Sequence, residues 1–257
     1  MKVRDKVIVV TGGASGIGRA LAERFAAEGA RSVVVADLDE AGASLVASSI
    51  GGGAVAAGVD VADEQALVSL IDEVEESQGP IDLFCSNAGV FAREGLETTD
   101  ERWDHALDVN LRSHLFAARH LVPRMTARGG GYLLHTASAA GLLSQIGSVT
   151  YAVTKAAVVA LAEWIAITHG DDGIRVSVLC PQAVRTPMLT GGERSVAAVD
   201  GVIEPEAVAE AVIRALAEER FLVLPHPEVA EYVRRKGEDR ERWLAGMRRL
   251  QARFEAG

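Results

Sequence analysis

Tyr151 and Lys155 stand four positions apart in the run Thr150-Tyr151-Ala152-Val153-Thr154-Lys155, and a helical pattern starts there. Side chains at i and i+4 share a helix face, so a phenol and an ammonium can meet. A free tyrosine titrates at ~10 and is a poor proton carrier at neutral pH. A neighbouring cation favours the phenolate and lowers that value. The pair therefore predicts a general base for alcohol oxidation, or an acid for carbonyl reduction. Ser138, in the loop before this helix, can donate a hydrogen bond to a substrate oxygen as charge develops on it. Alone, a Tyr-x-x-x-Lys spacing arises often by chance.

A second chemical signal lies at the other end of the chain. Val7 to Thr11 are all apolar or β-branched and read as a strand buried on both faces. Glycines follow at 12, 13, 16 and 18, and a helical pattern opens at once from Arg19. Strand, glycine turn and helix N-terminus together make an anion site: free N–H groups and the positive end of the helix dipole converge where glycine lets a phosphate approach. The common Gly-x-Gly-x-x-Gly fingerprint is absent, replaced by Thr11-Gly12-x-x-x-Gly16-x-Gly18. Asp37 follows Gly18 by nineteen residues, the spacing of an acid that holds adenosine ribose hydroxyls. Its charge would repel a 2′-phosphate, which favours NAD over NADP.

Positioning these groups requires a regular frame, and the chain predicts one. Strands are expected at 7–11, 32–36, 54–59, 81–86, 132–136, 175–180 and 221–224. Helices are expected at 19–28, 39–50, 63–77, 100–128, 150–169 and 205–220. Such β-α alternation implies an α/β fold: a single Rossmann-type, doubly wound parallel sheet of about seven strands, with helices on both faces and a C-terminal helical tail. Gly12, Asp37, Asp60, Asn87, Ser138 and Pro181 all fall at or just past the C-terminal ends of predicted strands. That rim is where open parallel sheets bind ligands.

Composition narrows the class. The 257 residues suit one domain, and 49% hydrophobic against 24% charged residues describes a folded globule. A formal charge of −10 gives no electrostatic footprint for nucleic acid or an anionic membrane. The first residues do not resemble a signal peptide, and no uninterrupted apolar run reaches the ~18 residues of a membrane span. The two cysteines, Cys85 and Cys180, are expected on strands separated by another. They would lie roughly 9–10 Å apart at a strand spacing of about 4.8 Å, too far for a disulfide. Inert core thiols and a cytoplasmic location follow. No metal site is expected.

In their order and intervals, Thr-Gly-x-x-x-Gly-x-Gly, Asn87-Ala88-Gly89, Asn110, Ser138 and Tyr-x-x-x-Lys resemble the short-chain dehydrogenase/reductase family, over roughly Lys6 to Thr186. The resemblance implies hydride transfer between a nicotinamide cofactor and a secondary alcohol or ketone. It implies a catalytic set of Asn110, Ser138, Tyr151 and Lys155, with Asn110 holding a water in a proton relay to Lys155. Cofactor contacts would come from Gly12, Ser15, Gly16, Ile17, Gly18, Asp37, Leu38, Asp60, Val61, Asn87, Ala88, Gly89, Tyr151, Lys155, Pro181, Val184 and Thr186. Ser15 occupies a turn position where family members that use NADP often carry a basic residue. A homo-oligomer, tetramer or dimer, is implied through pairing of the two long helices.

Two departures stand out. The family usually has Pro-Gly where this chain has Pro181-Gln182, and many members stop soon after the seventh strand. Gln182 and Gln145, with Ser138 and Tyr151, are the expected substrate contacts, and Arg93 is a further polar candidate. The rest of the pocket wall (139–146, Phe91, Met188, Leu189) is apolar and suggests a medium-sized hydrophobic substrate. Residues 1–225 read as the catalytic domain, with a substrate lid at about 187–203 that includes Gly191-Gly192, and 226–257 as a helical extension. The extension holds eight Arg/Lys and six Asp/Glu, and Trp243, Met247, Leu250 and Phe254 form an amphipathic stripe. It either packs on its own domain or docks on a neighbouring subunit to close part of the cleft. Two other functions compete: an NADPH-dependent ketoreductase of acyl-thioesters, which Asp37 disfavours, and a non-catalytic nucleotide sensor, which would not need the proton donors.

Overall fold

The computed structural model describes residues 1–189 and 196–255; Gly191-Gly192 and the middle of the expected lid lie outside them. Strands β1 (Val7–Thr11), β2 (Ser32–Asp37), β3 (Ala54–Gly58), β4 (Leu83–Ser86), β5 (Gly131–Thr136), β6 (Ile174–Leu179) and β7 (Leu222–Val223) form one parallel sheet in the order β3-β2-β1-β4-β5-β6-β7. Strand order reverses direction between β1 and β4. At that switch point the loops leaving the two strands diverge to opposite faces and leave a crevice.

Each face of the sheet is covered because its strands are apolar on both sides. On one face, Leu21 and Phe25 of α1 (Gly16–Ala27), Val46 of α2 (Glu40–Ile50), and Val212 and Leu216 of α8 (Pro205–Glu218) pack on Ile8, Val10, Val33 and Val35. On the other, Leu67 and Ile71 of α3 (Glu64–Ser77) and Leu121 and Met125 of α5 (Ser113–Ala127) pack on Val9, Val34 and Phe84, together with Val158 and Ile165 of α7 (Val149–His169). Helix α7 is the one described helix whose length and mean hydropathy of 1.4 would suffice to cross a bilayer. Lys155 and Glu163 interrupt it, and its inner face lies on this sheet.

Three local details depart from the periodicity. The single helix expected over 100–128 is α4 (Asp100–Leu107), a π turn at Asp108–Arg112, and then α5. A π turn carries one extra residue per turn, and such bulges gather at functional sites; this one bears Asn110. The expected loop after Ser138 contains a short helix, α6 (Ala139–Leu143), capped by the Ser138 hydroxyl, which accepts from Ala140 N at 3.1 Å. Beyond β7 come α9 (Glu228–Glu238) and α10 (Arg240–Glu255). Val229 of α9 is fully buried against Leu143 of α6, so the extension packs on its own chain.

Candidate active site

The glycine turn is held open by contacts that exclude side chains. Gly12 and Gly16 have φ of 65° and 54°, and a Cβ on Gly18 would lie 2.0 Å from the Gly12 carbonyl oxygen. Ser15 precedes α1, and no side chain caps the helix's first N–H groups, which therefore remain for an anion. Asp37 closes the turn from the next strand. Its Oδ2 accepts from Ala14 N at 2.9 Å and its Oδ1 from Asp39 N at 3.0 Å. Helix α2 is capped by Asp39, which accepts from Gly42 N at 3.0 Å, so Asp37 is not needed for that task.

Asn87 ties three strand ends together. Its Nδ2 donates to Thr11 O at 3.0 Å, its Oδ1 accepts from Thr136 Oγ1 at 3.1 Å, and its N–H donates to Thr11 Oγ1 at 2.9 Å. A cavity of about 490 Å³ runs along this rim, lined by every expected cofactor contact except Gly18, including Leu38, Asp60, Val61, Ala88, Pro181, Val184 and Thr186. Gly18 lies beneath the turn, packed on Gly12 and Asn87. The open helix N-terminus, the side-chain-free cradle and the carboxylate at the end of β2 fit an adenine dinucleotide.

At the far end of this cavity stand Ser138, Tyr151 and Lys155. Lys155 is 2% exposed, and its Nζ donates to Thr136 O at 2.9 Å. The ammonium lies 5.7 Å from the centroid of the Tyr151 ring, and Tyr151 and Ser138 line the same end of the cavity. Phe91 meets the Tyr151 ring edge-on at 5.1 Å. Asn110 is buried beside this group. Its Oδ1 accepts from Val90 N at 2.8 Å and its Nδ2 donates to Val90 O at 2.9 Å and to Thr154 Oγ1 at 3.3 Å. The side chain thus ties the π turn to both the strand-end loop and α7. A Cβ at Gly89 would sit 3.1 Å from Asn110 Oδ1 and 3.4 Å from Lys155 Nζ, so glycine there keeps the approach to both open.

Burial dominates the electrostatics. It lowers Lys155 from 10.5 to about 8 and raises the Tyr151 phenol above its ordinary value, with the Ser138 hydrogen bond pulling the phenol the other way. The Tyr-Lys spacing predicts a lowered phenol. In this structure desolvation raises the phenol instead, and the ammonium's hydrogen bond goes to a backbone carbonyl. Burial also pushes the Cys180 thiol up to about 12 and the Cys85 thiol well above its ordinary value. Both cysteines are free and buried, with β5 between their strands, and stay protonated at neutral pH. Behind Lys155, His114 and His135 share a hydrogen bond between their Nδ1 atoms at 3.0 Å. Burial lowers both, His135 to about 4, so the pair is neutral.

The substrate side is assembled differently from expectation. Gln145 lines the cavity, with its amide donating to Ile146 O at 3.0 Å. Gln182 lines it too, but its Nε2 donates to Asp200 at 2.9 Å, and the Tyr232 hydroxyl of α9 donates to the same carboxylate at 2.9 Å. His226 Nδ1 accepts from Gln182 N at 3.2 Å. Gln182 is therefore a tie between the β6 loop, the distal end of the lid and the extension. Arg93 lines neither this cavity nor its neighbour. His105, Asp200, His226 and Tyr232 carry no motif, and no spacing in the sequence would have found them.

A family profile described as short chain dehydrogenase matches residues 6–195. The chain belongs to the short-chain dehydrogenase/reductase family, oxidoreductases that act on CH–OH groups. Within it, the chain is 36% identical over 218 residues to meso-2,3-butanediol dehydrogenase of Serratia marcescens, covering 81% of this chain and 86% of the relative. It is 36% identical over 254 residues to 1-deoxy-11-beta-hydroxypentalenate dehydrogenase of Streptomyces exfoliatus, covering 93% and 90%. A short-chain dehydrogenase/reductase from Burkholderia phymatum, solved in complex with NAD, superposes with a TM-score of 0.85 at 30% identity, over 94% of this chain and 96% of the other.

Proposed function

We propose that this protein is an NAD-dependent dehydrogenase that moves a hydride between the nicotinamide and a medium-sized, largely apolar secondary alcohol or ketone. The observation that carries this reading is one continuous cavity with the glycine turn and Asp37 at one end and Ser138, Tyr151 and Lys155 at the other. The nicotinamide supplies the hydride chemistry and, when oxidised, a positive charge beside the phenol. Tyr151 takes the alcohol proton in oxidation or returns it in reduction. Ser138 orients the substrate oxygen, donating to it in place of its 3.4 Å contact with Pro181 O. Lys155 holds a buried positive charge near the Tyr151 ring, which favours the phenolate as that charge is needed. Asn110 keeps the π turn and the Val90 loop in place and holds a relay water on the way to Lys155.

NAD is preferred to NADP because the Asp37 carboxylate at the end of β2 would repel a 2′-phosphate, and the nearby Arg19 is engaged by Glu23 at 2.8 Å. The Burkholderia neighbour's NAD complex and the alcohol substrates in the relatives' names support the same assignment. The enzyme works as a homo-oligomer in the cytoplasm. The outer face of α7 exposes Val153, Trp164 and Ile167, an apolar strip suited to a second subunit.

The test is a screen of NAD⁺ reduction over secondary alcohols, sterols and hydroxyacyl compounds, run beside Tyr151→Phe. Turnover in the wild type, lost in the variant while NAD⁺ binding survives, is the expected result. Equal activity in the two proteins refutes the assigned proton carrier.

A further inference from the structure

The C-terminal helices enclose a second cavity, of about 790 Å³, against the catalytic one, and Ser138, Gln145 and Gln182 line both. The inner wall of this space is apolar, with Leu143, Val199, Trp243 and Met247 among its lining residues. Its outer wall is basic. Arg242, Gly246, Arg249 and Arg253 recur at i, i+4, i+7 and i+11, which is one face of α10, and all four line the cavity.

The charges around this space do not balance. Five arginines line it against three acids, Glu231, Glu238 and Asp239. Glu231 accepts from Arg234 at 2.7 Å and from Arg235 at 2.6 Å, and Arg234 also pairs with Glu238. Asp239 caps α10, accepting from Arg242 N at 2.9 Å. Among the described residues, Arg242, Arg249 and Arg253 have no carboxylate partner. Elsewhere the acidic surface supplies partners freely: Arg24 bonds Glu28 and Glu210, Arg124 bonds Asp72 and Glu75, and Arg175 bonds Glu219. Arg4, Arg31, Arg93, Arg240 and Arg248 likewise have no carboxylate partner among the described residues; Arg242, Arg249 and Arg253 differ from them in lining the cavity beside the substrate space.

We infer that this face of α10 is a subsite for the anionic end of the substrate, a carboxylate or phosphate ester joined through an apolar body to the alcohol carbon at Tyr151. The inference rests on the alcohol-oxidising reading of the neighbouring cleft. Guanidinium suits this task because its planar N–H fork meets either oxyanion in a bidentate way. From Arg242 to Arg253 the helix rises roughly 16 Å, so apolar bodies of different length still bring the anion to one of the three.

The experiment is calorimetric titration of the full chain, with NAD⁺ present, using sodium decanoate, decyl phosphate and 1-decanol as probes. Decanoate or decyl phosphate should bind at least tenfold more tightly than decanol, and whichever anion binds tighter identifies the headgroup. Arg242→Gln/Arg249→Gln/Arg253→Gln should abolish that preference. Arg248→Gln, on α10 but outside the cavity lining, should retain it. Equal affinity for anion and alcohol, or a preference that survives in the triple variant, overturns the subsite. Decanoate preference in a protein that oxidises no alcohol would overturn the proposed function and leave the subsite standing.

Discussion

The two ends of the catalytic cavity are built by different means. At the dinucleotide end, position is set by backbone: a glycine turn with φ of 65° and 54°, a bare helix N-terminus, and Asp37 and Asn87 gripping main-chain groups nearby. At the substrate end, the wall is made of segments far apart in the chain, with Ser138, Gln145, Gln182, Met188 and Ala197 in its lining, and the extension backs it. Side chains such as Gln182, Asp200 and Tyr232 join them. The first construction tolerates almost no variation, because a Cβ at Gly18 meets a carbonyl. The second can be rebuilt by exchanging a few polar contacts while the chemistry stays in place. A family can therefore keep one cofactor and change its substrate.

Variants can break or sharpen this contrast. The largest effect is expected for Tyr151→Phe, which should lower turnover by about 10²–10⁴-fold while isothermal titration finds NAD⁺ affinity unchanged. Co-loss of NAD⁺ binding would mean the two ends are not separable. Lys155→Met should come next, lowering kcat on the order of 10²-fold. It should also change the pH dependence of stability. Burial places Lys155 at about 8 in the folded chain against 10.5 when free, so between those values the unfolded chain binds the extra proton. Wild-type stability should then rise with pH across that window relative to Lys155→Met, and parallel melting curves would contradict the burial.

At the dinucleotide end, Asp37→Ser removes a carboxylate that accepts two backbone N–H groups. It should raise the KM for NAD⁺ about tenfold, roughly 1.4 kcal/mol, and narrow the gap to NADP⁺. Steady-state kinetics with both cofactors at one fixed alcohol measures this. The smallest effect belongs to the substrate end. Tyr232→Phe loses one hydrogen bond to Asp200, about 0.5–1.5 kcal/mol. A few-fold rise in substrate KM with NAD⁺ affinity intact would place that tie in the substrate wall. A change in both constants would show that the extension also supports the cofactor end.

The unequal legibility of the two ends has the same origin. Gly12, Gly16 and Gly18, Asp37 and Asn87 act within one strand-turn-helix unit or at a strand end, where residue type and spacing report conformation directly. The alternation of buried strands with amphipathic helices likewise announced a parallel sheet, since a strand apolar on both faces needs helices above and below it. The π turn at Asp108–Arg112 was invisible because its apolar stripe reads like that of an ordinary helix. The tie from Gln182 to Asp200 carries no sequence signal either, because the two residues are eighteen positions apart and joined by no pattern.

Sequence alone determined the sheet, the glycine turn before α1 and the Tyr151–Lys155 pair, because each depends on interactions over a few residues or on a repeating period. Tertiary structure alone decided that Lys155 is desolvated enough to sit near 8, that the extension returns to its own chain through Val229, and that Arg242, Arg249 and Arg253 of α10 line the second cavity. Burial, long-range hydrogen bonds and the facing of one helix toward another are properties of the packed chain, set by which distant surfaces meet.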